Sequence, residues 1–201
     1  LFFECAMGKI AESRVPRQDN RRRSILDAAA RLFARRGYHA TSMRDIAASA
    51  EMLPGSVYYH FASKEALLLA VYAEGVERIA AHVDAATAKK QTPRSRLEAA
   101  CVAHLEMLLT RSDYAQVVVR VLPQDAEDIS TALIALRDDY ERRFHGLIAA
   151  LPLSRGIDRK LLRLALLGAL NGTKIWYRAG TKTPTSIARS FLQLMVPATP
   201  R

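Results

Sequence analysis

Between Thr41 and Lys64 the chain reads TSMRDIAASAEMLPGSVYYHFASK, and three adjacent rings within it, Tyr58, Tyr59 and His60, can each offer hydrogen bonds. They follow Gly55 and Ser56, two small residues that let a helix approach a base edge closely. Val57 and Phe61, four apart, supply the inward-facing pair of the same helix, which is too short to bury all three rings as well. Pro54 suits its first turn, where a missing amide hydrogen costs nothing, so this helix is predicted to run from Pro54 to about Phe61. Ahead of it, Ser42 and Asp45 stand at capping-box spacing, and Met43, Ile46, Ala47 and Ala50 recur at helical intervals. Two short helices joined by about four residues have the helix-turn-helix spacing, in which the second helix enters the major groove. The chemistry on offer is recognition of double-stranded DNA.

Covalent chemistry has no comparable foothold. The sequence contains no glycine-rich phosphate loop, no GxSxG elbow and no paired-histidine metal motif. Its five histidines, His39, His60, His82, His104 and His145, are scattered, and no Cys/His cluster has zinc-ligand spacing. His82 and His104 fall on largely apolar faces and are read as core histidines. Neither catalytic residues nor a metal or cofactor are expected.

The elements that must position the reading helix are helical throughout. From Asn20, read as an N-cap, Ile25, Ala28, Ala29, Leu32 and Phe33 mark one face of a helix that Gly37 ends. Ser63 caps a long helix reaching about Ala88, with Gly75 expected to loosen its middle. Gln91 to Pro93 break the chain. Leu97, Cys101, His104, Leu105 and Leu108 then mark another helix, and Asp113 to Leu122 a shorter one stopped by Pro123. Apolar spacings of three and four from Asp125 to Leu151 predict about seven turns of amphipathic helix. Asp158 opens a helix apolar almost all round from Leu161 to Leu170, which demands burial on several sides, and a last helix covers roughly Thr185 to Val196. No segment alternates like a strand, so the fold class is all-α. The predicted division is a disordered basic arm over 1–18, a three-helix DNA-binding domain over 19–64, a larger helical domain over 65–196 and a tail over 197–201; Met7 is a candidate natural start.

The net charge of +10 points to a polyanionic partner. Residues 1–64 hold 11 basic and 6 acidic side chains, a net of +5 in the first third of the chain, the same as in the remaining two thirds. Arg14, Arg17, Arg21, Arg22 and Arg23 make the arm and the entry to the first helix basic. Cys5 and Cys101 lie too far apart in sequence to suggest a structural disulfide, and no secretory signal or apolar run of spanning length is present; a cytoplasmic protein without membrane attachment is expected.

The run from about Ile25 to Ala73, through ILDAAARLFARRGYHATS, MRDIAASA and GSVYYHFASKEALLLAV, resembles the DNA-binding domain of the TetR family of bacterial transcriptional regulators. Two residues depart from its pattern: Glu51 stands in the turn where Gly is usual, and Leu53 where a Ser or Thr N-cap is common. The resemblance implies that Gly55, Ser56 and Tyr58, on the helix opened by Pro54, face bases. It implies that Thr41, Tyr59, His60 and Lys64 hold phosphates, and that Arg44 does either. It also implies a homodimer on a pseudo-palindromic operator, built by helices at about 158–179 and 185–196, with Leu161, Leu164, Gly168, Gly172, Phe191 and Met195 at the interface.

The carboxyl-terminal stretch LLGALNGTKIWYRAGTKTPTSIARSFLQLM is similar to the ends of family members that answer to acyl-CoA thioesters, although Gly172 replaces a frequent Trp. This implies a repressor released by a small apolar or amphipathic effector such as an acyl-CoA, with no enzymatic activity. The effector's cavity would be lined by Cys101, His104, Leu108, Tyr140, Phe144 and Asn171, with Arg120 meeting an anionic portion; the helix from Ser63 would carry the signal. Aromatic inducers and hydrophobic cations are rival effectors. A second reading is an architectural DNA-bound interaction protein without small-molecule control. The two are told apart by the interior of the larger domain, which should hold a mixed polar and apolar cavity in the first case and could be solid in the second.

Overall fold

The computed structural model describes residues 17–110, 112–180 and 182–196. The tail over 197–201 lies outside these residues, as does the arm except for Arg17 and Gln18, which form the first turn of a helix. All regular structure among the described residues is helical.

Helix α1 (Arg17–Arg36) buries Ile25, Ala28, Ala29 and Phe33, and ends where Gly37 takes φ +88°, a left-handed geometry that costs glycine little. Asn20 lies inside this helix and not at its cap; its carbonyl accepts the Ser24 hydroxyl at 3.0 Å. Helix α2 (Met43–Ser49) opens on the expected capping box: the Asp45 amide donates to Ser42 Oγ and the Ser42 amide to Asp45 Oδ2. The turn passes through Glu51 at φ +56° before α3 (Pro54–His60) begins with Pro54 in its first turn and no side-chain cap from Leu53. The missing glycine therefore does not change the turn. It leaves a left-handed glutamate, at a cost of about 1 kcal/mol.

Helix α4 (Lys64–Ala88), capped by Ser63, is the axis of the molecule; α1, α5 (Pro93–Leu109), α6 (Asp113–Arg120) and α7 (Ser130–Ala149) all pack on it. Gly75 does not loosen it. A β-carbon there would lie 2.6 Å from Val118 Cγ2 and 2.8 Å from the Tyr114 carbonyl oxygen, so Gly75 is the flat place where α6 crosses α4. Thr92 and Ser95 form the capping box that starts α5.

Helix α6 stops at Arg120, two residues before its expected end, because Pro123 forces Leu122 into an extended conformation. The predicted seven-turn helix also begins late. Residues Pro123–Asp125 and Glu127–Ile129 make two short 3-10 turns, the first closed by Asp125 accepting the Leu122 amide at 2.7 Å, and α7 starts only at Ser130. Asp158 accepts the amides of Lys160 and Leu161 to cap α8 (Arg159–Trp176), which packs on α5 and α7 and ends before the predicted 179. Helix α9 (Pro184–Met195), opened by Thr183 and Ser186, lies against α5 and α8.

Candidate nucleic-acid interface and effector cavity

Helix α3 presents its far side to solvent. Val57 and Phe61 are buried, with α3 packed on α2, while Gly55, Tyr58 (52% exposed) and Tyr59 (76%) face outward and Ser56 and His60 are half-buried. The Tyr59 and His60 rings meet edge to face at 5.2 Å. Arg44, on α2, is exposed, and Pro54 is exposed at the head of α3. A polar hollow of about 620 Å³ lies beside this surface, lined by the loop from His39 to Ser42, by Arg44 and Asp45 of α2, and by Tyr58 and Lys64.

Two residues assigned to phosphate look inward. Thr41 is 1% exposed and its hydroxyl donates to the Gly37 carbonyl at 2.8 Å; the single hydroxyl proton is therefore committed to the loop and is not available to a phosphate. Lys64 Nζ donates to the carbonyls of Tyr38 and Thr41, at 3.1 Å each, and stands 4.2 Å from the centre of the Tyr38 ring. Two of its three protons hold the loop, leaving one for an anion in the hollow. Tyr38 is fixed from its other end by donating to Glu65 at 2.6 Å; burial and this carboxylate raise the phenol above its usual range, and the hydrogen bond keeps Glu65 ionised below the usual carboxylate range.

In the larger domain a cavity of about 360 Å³ opens between α4, α5, α6, α7 and α8. Tyr72, Val76 and Ile79 of α4, Val118 and Val119 of α6, and Leu167 of α8 supply apolar wall. Of the seven residues assigned to it from sequence, His104, Leu108, Tyr140 and Asn171 line it. Cys101 and Phe144 lie behind the wall, fully buried; burial pushes the Cys101 thiol up to about 12, and the Phe144 ring meets His104 edge to face at 6.0 Å. Arg120 points elsewhere: Nη1 donates at 2.5 Å to the Ala34 carbonyl in the last turn of α1.

The polar end of the cavity is a connected set. His104 Nδ1 is 2.6 Å from the Tyr140 hydroxyl, and its Nε2 is 3.0 Å from Asn171 Oδ1. Burial depresses the His104 imidazole to about 4, against a smaller upward pull from the Asn171 hydrogen bond, so the ring is neutral at pH 7; burial likewise raises the Tyr140 phenol. Three charged residues that sequence reasoning missed also line the cavity, Arg137, Glu141 and Lys174. Glu141 pairs with Arg163 and approaches Arg137 at 4.0 Å; burial and the Arg120 charge lower the Lys174 ammonium. Helical periodicity placed these residues on α7 and α8 but carried no sign of which faces enclose a void.

A third surface is hydrocarbon. Along α8, Leu161 (63% exposed), Leu164 (47%), Ile175 (77%) and Trp176 (51%) are open to solvent, as is Gly168; Leu194 (81%) extends the patch on α9. Leu162, Leu166, Leu167 and Leu170 fill the core instead, so the run that is apolar all round divides into a buried and an open stripe within one chain. Phe191 and Met195 are half-buried, the Phe191 ring meeting Trp176 edge to face at 6.5 Å, and Gly172 is half-buried and borders the cavity as well.

Residues 25–71 match the family model for bacterial regulatory proteins of the tetR family, and residues 90–198 match the tetracyclin repressor-like C-terminal domain. The chain belongs to the TetR family, and it is a DNA-binding transcriptional regulator. The transcriptional repressor KstR2 of Rhodococcus jostii is 27% identical over 192 residues, spanning 89% of this chain and 91% of that protein. KstR2 of Mycobacterium tuberculosis is 37% identical over 101 residues, half of each chain. Among solved structures, AibR in complex with isovaleryl coenzyme A and operator DNA superposes with a TM-score of 0.73 at 27% identity, covering 87% of this chain and 97% of that one. Among the described residues no helix is long and apolar enough to cross a membrane.

Proposed function

We propose that this regulator is a cytoplasmic repressor that binds a pseudo-palindromic operator as a homodimer and is released by an acyl-CoA thioester entering the α4–α8 cavity. The observation that carries this reading is that helix α6 belongs to both ends of the device. Val118 and Val119 of α6 form cavity wall, while Tyr114 donates to Asp27 of α1 at 2.7 Å and Arg120 to the Ala34 carbonyl at 2.5 Å. An effector that displaces α6 therefore pulls on the first helix of the reading head directly, beside the route through α4. To release DNA it must favour the non-binding arrangement, by ~1.4 kcal/mol for each tenfold loss of operator affinity.

On the DNA side, Gly55, Ser56 and Tyr58 read bases, Tyr59, His60 and Arg44 meet the backbone or bases at the edges, and Lys64 donates its remaining N–H to a phosphate oxygen while Thr41 shapes the loop. The hydrocarbon stripe of α8 and α9 meets its twofold copy, placing two heads on one operator. The effector class follows from the cavity: its volume suits a small ligand, its walls are mostly apolar, and two cations against one carboxylate among its lining residues favour an anionic portion over a cation. Isovaleryl coenzyme A, bound in the AibR structure, joins a small apolar acyl group to an anionic portion. No step in this reading makes or breaks a covalent bond. An architectural role without an effector fits less well, because the interior is hollow and lined by mixed groups.

The test is to titrate acyl-CoA thioesters of graded length, the matching free acids and hydrophobic cations into a preformed protein–operator complex. Release by thioesters at concentrations that leave the complex intact with the other two classes is the expected result. Release by cations alone overturns the effector class, and no release by any class returns the architectural reading.

A further inference from the structure

We infer that the cavity selects effectors bearing a carbonyl group, through the side-chain NH2 of Asn171, and that His104 and Tyr140 are positioning residues that aim this donor. The inference deepens the proposed effector reading and rests on it for the choice of thioester as first probe. It starts from hydrogen-bond accounting within one cluster, in which His104 and Tyr140 are buried and Asn171 reaches solvent. His104 Nδ1 is the only hydrogen-bond partner of the Tyr140 hydroxyl among the described residues, at 2.6 Å. The imidazole is 5% exposed, stacked beside the Tyr140 ring and edge-on to Phe144, an environment that favours its neutral form.

A neutral imidazole donates from one nitrogen and accepts at the other. If Nδ1 carried the proton, the Tyr140 hydroxyl would have to accept it and would be left with no protein acceptor for its own hydrogen, in a residue only 8% exposed. The satisfied arrangement has Tyr140 O–H donating to Nδ1 and Nε2–H donating to Asn171 Oδ1 at 3.0 Å. The Asn171 carbonyl is thereby occupied and the amide cannot turn over without setting two donors against each other. What remains for the cavity is the NH2 group, a donor without acceptor character.

The consequence is a ligand preference with a definite sign. A thioester, ketone or carboxylate oxygen satisfies the donor, whereas a methylene or an ammonium at the same place leaves it unpaired or opposes it. An apolar chain of the right size enters the cavity but binds more weakly than its carbonyl counterpart. Tyr140 matters although it need not touch the ligand. Without its hydroxyl proton the His104 tautomer is free to reverse, Asn171 can turn, and either face of the amide can meet the cavity.

The full-length protein is titrated calorimetrically with isovaleryl-CoA and with S-isopentyl-CoA, the thioether of the same carbon skeleton that lacks the carbonyl. The expected ratio of dissociation constants is about tenfold in favour of the thioester. Asn171→Leu, a change at an exposed position, should bring the ratio close to one, and Tyr140→Phe should reduce it while thermal melts show both variants folded. A ratio near one in the unaltered chain, or a ratio unchanged in Asn171→Leu, overturns the inference and leaves the thioester effector standing. If neither CoA derivative binds, the thioester effector is refuted. The carbonyl preference is then decided by the same ratio measured with a methyl ketone and its matching hydrocarbon, supported by a preference for the ketone and overturned by equal binding.

Discussion

The reading head and the α8–α9 face both leave large side chains in water, but the side chains differ in kind. On α3 the exposed rings of Tyr58 and Tyr59 end in hydroxyls, with His60 beside them. On α8 and α9 the exposed groups are Leu161, Leu164, Ile175 and Leu194, with Trp176 the sole polar-tipped member. A surface that must trade water for phosphates and base edges keeps hydrogen-bonding tips; a surface that must trade water for its own copy does not need them. The two exposures therefore point to two partners, and each can be attacked separately.

The largest expected effect is on the hydrocarbon face. A β-carbon at Gly168 meets nothing within 4 Å in the chain itself, so Gly168→Arg should fold normally. It should nevertheless sediment as a monomer and lose operator affinity by about a thousandfold, the order of effect expected when two linked heads become one. Gly172 is a poorer choice, since it also borders the cavity. An unchanged dimer in Gly168→Arg would move the interface away from α8.

Acid separates the body of the larger domain from the head. The folded imidazole of His104 titrates near 4, below the unfolded value of about 6.5, so the unfolded chain takes up the proton first. The stability at stake is intact above about pH 6.5 and is lost as pH falls toward 4, by up to about 3 kcal/mol. Urea melts of the unaltered chain and His104→Gln at pH 7 and pH 4.5 should show a shallower pH loss in the variant; equal losses would remove His104 as the cause. Gly75→Ala should cost about 2 kcal/mol by pressing α6 away from α4, visible as a lower melting temperature.

The head should show the reverse pattern, affinity lost without stability. Gly55 has open space where a β-carbon would go, so Gly55→Ala leaves the melt unchanged while weakening operator binding about tenfold if α3 lies close against base edges. Unaltered binding would place DNA farther from the start of α3. Lys64→Ala is a less discriminating probe, because it also strips two hydrogen bonds from the loop carbonyls. The smallest effect belongs to Glu51→Gly, which relieves a left-handed side chain but loosens the unfolded chain, for a net change under about 1 kcal/mol in a denaturation curve.

Local signals in the sequence were read well where one or two neighbouring residues determine the outcome. Ser42 with Asp45, Pro54 and Gly37 are of this kind, since their geometry is settled within a turn of chain. Long-range roles were legible only in part. Periodicity put Leu161 and Leu167 on one apolar helix without separating the open from the buried stripe, and the family resemblance put Arg120 at the effector when its guanidinium caps α1. Gly75 looked like a weak point because the helix that crosses it lies some forty residues downstream. Asp125 misled for a different reason: it closes a turn by accepting the Leu122 amide, where helical spacing alone suggested a continuous helix.

The central claim is that a ligand in the α4–α8 cavity and DNA on α3 oppose each other through α6 and α4. Linkage makes this reciprocal: if the ligand lowers operator affinity by some factor, operator must lower ligand affinity by the same factor. The most direct measurement is the dissociation constant for an acyl-CoA thioester, taken with the protein free and with the protein saturated by operator DNA. The account predicts weaker binding in the DNA complex, by at least about tenfold and by the same factor as the loss of operator affinity. Equal ligand affinity with and without DNA would contradict it.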